Sequence, residues 1–220
     1  MRRIALLALL LVGCAAPATP ATPATPIAPT PPPATPTSPP ALTATTLPAP
    51  TKAPPPPPTP LPEPTTLLVE SSAFSEGGTI PVEYTCNGTN ISPPLRWSEV
   101  PAGTKSIVVI MEDRNANNFS HWTVFNLPPT TRELPAALPN EWAVPNGGWQ
   151  AQNAFAKPGY GGPCPPANAA HTYAFQVYAV AIEVALEPSD LSPVSKGMVR
   201  EEIADSILAV GSLSGIYTAP

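Results

Sequence analysis

The chain holds two histidines, and each stands immediately before a run of β-forming residues. His121 precedes Trp122-Thr123-Val124-Phe125-Asn126, and His171 precedes Thr172-Tyr173-Ala174-Phe175. Asp113 follows a third such run, Ser106-Ile107-Val108-Val109-Ile110-Met111-Glu112. Two imidazoles and a carboxylate at strand ends, each beside a Gly- or Asn-rich loop, can converge on one mouth of a β-sandwich. Backbone amides at Gly161 and Gly162, in the loop before His171, are candidate donors to an anion. Imidazoles with such amides suit anion capture. The same residue types also compose a two-His, one-carboxylate metal triad or an acid–base pair. The alternative for each residue alone is plainer: a surface histidine, or an aspartate that forms a turn. Hydrolysis lacks a nucleophile motif. Gly211-Ser212-Leu213-Ser214-Gly215 has Leu where G-x-S-x-G needs Ser, and no H-E-x-x-H occurs.

These groups need strands to hold them. The Ser106–Glu112 run is continuously apolar and β-branched, as expected of a strand buried on both faces. Trp122–Leu127 and Thr172–Val180 are two further strands. Pro93-Pro94, Pro128-Pro129, Gly147-Gly148 and Gly161-Gly162-Pro163 mark loops between elements. Met198, Ile203, Ile207 and Leu208 recur at helical spacing and predict a helix over Ser195–Ala209. A short last strand is expected over Ser212–Thr218. The fold class is mainly β with one or two peripheral helices. From Leu67 onward about 154 residues are enough for one sizeable core.

The residues before Leu67 have another composition. Met1-Arg2-Arg3 followed by an apolar run to Gly13 reads as an export signal, too short to span a bilayer as a helix. It ends Leu11-Val12-Gly13-Cys14, which resembles a bacterial lipobox, so Cys14 is expected to carry lipid and to begin the mature chain. From Ala15 to Thr66 lie 21 of the chain's 37 prolines, with repeated Ala-Thr-Pro. Such a segment buries too little apolar surface to offset its ordering entropy and reads as an extended, disordered tether. The expected organisation is a signal peptide over 1–13, a lipidated Cys14 with tether over 14–66, and one domain over 67–220. The location is extracytoplasmic, on the cell membrane or on an outer membrane where the host has one.

Charge and cysteine count narrow the partners. Without Arg2 and Arg3, eight Lys and Arg face 15 Asp and Glu, and no basic cluster offers a footprint for nucleic acid. Membrane attachment would come through acyl chains on Cys14. With Cys14 lipidated, Cys86 and Cys164 remain as an even pair in an oxidising compartment, either bridged or as two buried thiols.

Ordered motifs across the domain resemble the phosphatidylethanolamine-binding proteins, in their bacterial Raf kinase inhibitor-like branch. They include Ile80-Pro81-Val82-Glu83-Tyr84-Thr85-Cys86-Asn87-Gly88 and Asn90-Ile91-Ser92-Pro93-Pro94-Leu95-Arg96-Trp97. They continue through His121-Trp122, Gly159-Tyr160-Gly161-Gly162-Pro163-Cys164-Pro165-Pro166, His171 with Tyr173, and Leu213-Ser214-Gly215-Ile216-Tyr217. The resemblance implies two antiparallel sheets and a small pocket for an anion or phospholipid headgroup. It assigns the pocket to Asp113, His121, Gly162, Pro163, His171 and Tyr173, and it brings Cys86 and Cys164 together at its edge. No cofactor or resident metal is implied. Departures from the family pattern lie at Arg114, Asn115, Asn117, Thr172 and Asp205-Ser206. Arg114, where relatives carry proline, is an expected extra anion contact. A binding module is the leading reading. A protein-interaction or protease-inhibitor module comes second, and a metal-dependent or acid–base hydrolase last.

Overall fold

The run Ser106–Asp113 is buried at all eight positions because both of its faces meet a hydrophobic core. The computed structural model describes residues 64–145 and 147–220. The signal segment, Cys14 and the tether as far as residue 63 lie outside the described residues. In chain order the strands are β1 (Thr65–Thr66), β2 (Val69–Glu70), β3 (Gly78–Thr79), β4 (Leu95–Trp97) and β5 (Ser106–Asp113). They continue as β6 (Phe119–Leu127), β7 (Glu133–Leu134), β8 (Trp149–Gln150), β9 (Ala170–Val180) and β10 (Ile207–Thr218), with helix α1 at Lys196–Ile203.

The larger sheet has the order β1-β10-β9-β5-β6-β8, with β3 also on β10, and the smaller sheet is β2-β4-β7. The long strands pair antiparallel, whereas the short β1 and β3 run parallel to β10. Alternation along β5 divides the core. Ile107, Val109 and Met111 pack with Trp122, Phe175, Leu95 and Trp97 between the two sheets. Val108 and Ile110 pack with Phe125, Tyr178, Val199 and Ile203 beneath α1. Among the described residues, no helix is long and apolar enough to cross a membrane.

Three expectations about boundaries shift. Thr65 and Thr66 pair with Ala209 and Val210, so the segment read as tether gives its last two residues to the sheet. The helix stops at Ile203 instead of Ala209. Ser195 caps its start, Ser206 closes its end by donating to the Ile203 carbonyl, and Ile207 already pairs with Val180. The apolar run Ile207-Leu208-Ala209-Val210 therefore serves a strand, which wins through long-range pairing that a helical count cannot register. Met198 accordingly faces water, while Val199 and Ile203 are buried, each by about 1.5–3 kcal/mol of apolar transfer. Finally, His121 and His171 sit inside β6 and β9, not ahead of them.

Candidate functional site

Asp113, Tyr173 and His171 share the inter-sheet face of the large sheet. Asp113 is two residues beyond Met111 on β5 and pairs with Tyr173 on β9, and His171 lies two residues from Tyr173. His121 joins them through a β-bulge. Met111 pairs with Trp122 but Glu112 pairs with Ser120, which leaves His121 as the extra residue of β6. Bulges re-aim a side chain in this way. The turn from β5 to β6 is built by asparagines: Asn117 and Asn118 take left-handed backbone, at φ of 50° and 53°. The Asn115 amide donates to Asp113 Oδ1 at 2.8 Å, and Asn115 Oδ1 accepts from the Thr172 amide at 2.8 Å.

Partners decide which ring nitrogen carries a proton. His171 Nδ1 lies 2.7 Å from Asp113 Oδ2 and donates to that carboxylate. His121 Nδ1 lies 2.6 Å from the Gly161 carbonyl, which can only accept, so Nδ1 is the protonated nitrogen. The Nε2 of a neutral His121 then bears a lone pair. Burial pushes the His121 pKa below its ordinary 6.5, against the opposing pull of the Gly161 carbonyl and the Asp113 charge. Tyr173 packs edge-on to His121 at 5.1 Å between ring centres, and burial raises its hydroxyl well above the usual tyrosine range.

A cavity of about 260 Å³ opens over these groups, lined by Asp113, His121, His171, Ala116, Phe119, Phe155, Cys164, Pro165 and Pro166. It lies just under the range of about 300–1,000 Å³ common for drug-sized ligands. Phe155 stands edge-on to both His121 and Phe119, with ring centres 5.4 and 5.1 Å away. Asn153 holds the Phe155 loop by accepting from the Phe155 amide and donating to the Gly159 carbonyl. Phe119 and Phe155 were missed in the sequence. The aromatic two residues before His121 was a usable signal for the first, whereas nothing in the sequence marks Phe155.

Gly162, Pro163 and Tyr173 support the wall instead of lining it. The Gly162 amide donates to Asn90 Oδ1 at 2.7 Å, and the Gly161 amide donates to the His121 carbonyl at 2.9 Å. Neither amide is left for an anion, which corrects the expected role of both. A Cβ at Gly162 would come within 2.4 Å of the Tyr84 carbonyl, so close approach of two loops requires glycine there. The same loops are tied by the Cys86–Cys164 disulfide, with Cα atoms 5.4 Å apart, and by the Cys86 amide on the Pro163 carbonyl. Cys164 thereby anchors the part of the wall that continues into Pro165 and Pro166.

Arg114 also departs from expectation. Its guanidinium donates to Glu112 Oε2 at 3.2 Å and to Asn118 Oδ1 at 3.1 Å, and it is not among the cavity-lining side chains. Glu112, buried under α1, draws Lys196 and Arg200 as well. No group of three or more His, Cys, Asp or Glu gathers at metal-holding distance among the described residues.

Residues 70–218 match the family model described as phosphatidylethanolamine-binding protein. The chain belongs to that family. A UPF0098 protein of Methanothermobacter thermautotrophicus is 38% identical over 151 residues, covering 68% of this chain and 97% of its own. A Mycobacterium tuberculosis relative whose name, LppC, calls it a lipoprotein is 31% identical over 152 residues, covering 68% of this chain and 73% of its own. Among solved structures, Escherichia coli YbcL, described as a new member of the mammalian family, superposes with a TM-score of 0.64 at 32% identity. That alignment covers 71% of this chain and all of YbcL. The family's mainly β fold of two sheets with one helix is the fold seen here.

Proposed function

We propose that this chain is a membrane-anchored, extracytoplasmic binding module whose pocket takes a small anion or a phosphorylated headgroup. The observation that carries this reading is the meeting of Asp113, His121 and His171, from three strands, on one small cavity with apolar walls. With both ring nitrogens of His171 carrying hydrogen, its Nε2–H donates to a bound anion and its Nδ1–H to Asp113 behind it. The carboxylate thus acts on the anion through the imidazole. The organic part of a ligand rests on Phe119, Phe155 and Pro166 at the rim. Lipid attachment at Cys14 is supported by the signal sequence and by the lipoprotein name of the mycobacterial relative. The test is calorimetric titration of the full chain with phosphate and phosphoethanolamine, before and after His171→Ala. Saturable binding that the substitution weakens supports the reading, and equal binding by both proteins removes it.

A further inference from the structure

Charge is unevenly placed in the folded part of the chain. From Leu67 onward seven Lys and Arg face fourteen Asp and Glu. Yet three of those seven, Arg114, Lys196 and Arg200, meet at the single carboxylate of Glu112. One cation neutralises one buried carboxylate. Lys196 fills that role, reaching Glu112 Oε1 at 2.6 Å with a side chain 17% exposed, against 38% for each arginine. Arg114 and Arg200 both turn to the other oxygen, Oε2, at 3.2 and 3.1 Å, so two guanidiniums stand side by side over one atom. The cluster therefore holds two positive charges beyond the one that Glu112 balances.

Neutral groups aim both guanidiniums without consuming their charge. Asn118 Oδ1 accepts from Arg114 Nη1 at 3.1 Å, and Gln176 Oε1 accepts from Arg200 Nη2 at 2.9 Å. The Tyr178 ring lies under the Arg200 guanidinium, 5.7 Å from its centre. Among the described residues Arg114 Nη2 and Arg200 Nη1 have no hydrogen-bond partner, and Arg200 Nη1 is not a buried atom. The acidic residues of α1 point elsewhere, since Glu201 and Glu202 follow Arg200 by roughly 100° and 200° around the helix.

We infer that Arg114 and Arg200 form a binding site for a tetrahedral dianion, on the face of the large sheet opposite the cavity. Sulfate, hydrogen phosphate and phosphomonoester groups share this chemistry. A surplus of two positive charges matches such a group, which as a phosphomonoester carries about −1.5 to −2 at pH 7. A carboxylate balances only half of it. A tetrahedral group has three or four oxygens, enough to accept from both guanidiniums at once, and charge-assisted bonds from arginine to phosphate are among the strong ones. Acidic residues outnumber basic ones elsewhere in the domain, so its field directs a dianion to this cluster. The site is independent of the cavity, because Asp113, next along β5, serves the other face.

The test is calorimetry on the detergent-solubilised full chain carrying His171→Ala, which removes the anion donor proposed for the cavity. Four probes are titrated at pH 7.5 and low ionic strength: sulfate, inorganic phosphate, O-phosphoserine and acetate. Sulfate and phosphate should bind, and acetate should bind about tenfold weaker or less. Arg114→Gln and Arg200→Gln should each weaken sulfate by about tenfold or more, the scale of one hydrogen bond to a charged group. Lys105→Gln removes the same charge just before β5, at the end away from Glu112, and should change nothing. Urea midpoints confirm that each variant folds, with Lys196 still paired to Glu112, and the comparison of acetate with sulfate needs no cluster variant at all. O-phosphoserine as tight as phosphate assigns the site to a phosphate carried on a larger molecule, and a much weaker ester assigns it to the free ion. Sulfate binding that survives both arginine substitutions overturns the inference, as does acetate as tight as sulfate or no binding of sulfate and phosphate. None of these outcomes touches the His171 reading, since every protein in the series lacks that ring.

Discussion

Glu112 and Asp113 are neighbours on β5, yet their carboxylates serve opposite faces of the sheet. Glu112 meets Lys196 at 2.6 Å, Arg200 at 3.1 Å and Arg114 at 3.2 Å under α1. Asp113 meets His171 at 2.7 Å in the cavity. Strand alternation thus separates a structural charge cluster from the cavity-lining groups by a single peptide.

That separation is testable. Glu112→Gln should lower unfolding stability by about 2 kcal/mol. Breaking a fully buried ion pair costs about 3–5, but Arg114 and Arg200 here reach water. Anion affinity of the pocket should stay unchanged, because the pocket lies on the other face. Urea unfolding paired with phosphate titration checks both halves. A loss of binding without a loss of stability would contradict the division.

Asp113→Asn should weaken phosphate binding by about 1.5–3 kcal/mol, the range for hydrogen bonds to charged groups. The variant removes the carboxylate charge behind the His171 ring, which backs the hydrogen bond that this ring gives a bound anion. Direct repulsion between Asp113 and the anion predicts the opposite sign. Calorimetry on the two proteins at one pH separates them, and tighter binding in the variant would refute the indirect role given to this carboxylate.

How far the site was readable from sequence depends on what each residue needs from afar. The types and flanking runs of Asp113, His121 and His171 pointed to strands, and strands from one sheet can bring their ends together. Whether His121 faced the cavity depended on a bulge between Met111 and Glu112, which exists only in the pairing register. Arg114 was misread because its direction is set by Glu112, which also holds Lys196 and Arg200 from a helix more than eighty residues on. The glycine amides were misread because Asn90, over seventy residues earlier, takes one of them. The fold class was legible because β5 is apolar on both faces, a pattern that local composition carries by itself. The helix end was not, since Ile207 to Val210 fit both periods and only β9 chooses between them.

Replacing Cys86 and Cys164 together by serine should destabilise the domain by about 4 kcal/mol in the chain-entropy account, given their sequence separation of 78. Anion affinity should also fall, since Cys164 leads into the Pro165–Pro166 wall. Non-reducing peptide mapping should recover the two cysteines joined. Unlinked peptides from the native protein would remove the bridge from consideration.

Cys14→Ser should leave unprocessed precursor or release the protein from membranes, because the proposed anchor is a lipid on Cys14 and the acidic chain offers no electrostatic attraction to anionic lipid in its place. Fractionation with palmitate labelling reads this directly. A mature, labelled, membrane-bound serine variant would rule out Cys14 as the lipid site.

The last prediction follows from the burial of His121. Its native pKa lies below the ordinary 6.5, chiefly through desolvation. Between that lowered value and 6.5, the unfolded chain binds a proton that the native state refuses, so stability rises with pH across this window. Read downward, the contribution of neutral His121 is intact above 6.5 and is lost as pH falls below it, levelling off beneath the native value. Carboxylates titrate at lower pH and add their own slope, so the comparison must be with a variant. His121→Asn keeps a donor for Gly161 and has no proton to gain. Its stability should therefore fall less than that of the unaltered chain between pH 7 and pH 5, whatever the absolute cost of the substitution. Urea midpoints of both proteins at four pH values, without phosphate, supply the two slopes. Parallel slopes would mean that His121 gains its proton as easily in the native state as in the unfolded chain, and that burial does not hold its ring neutral.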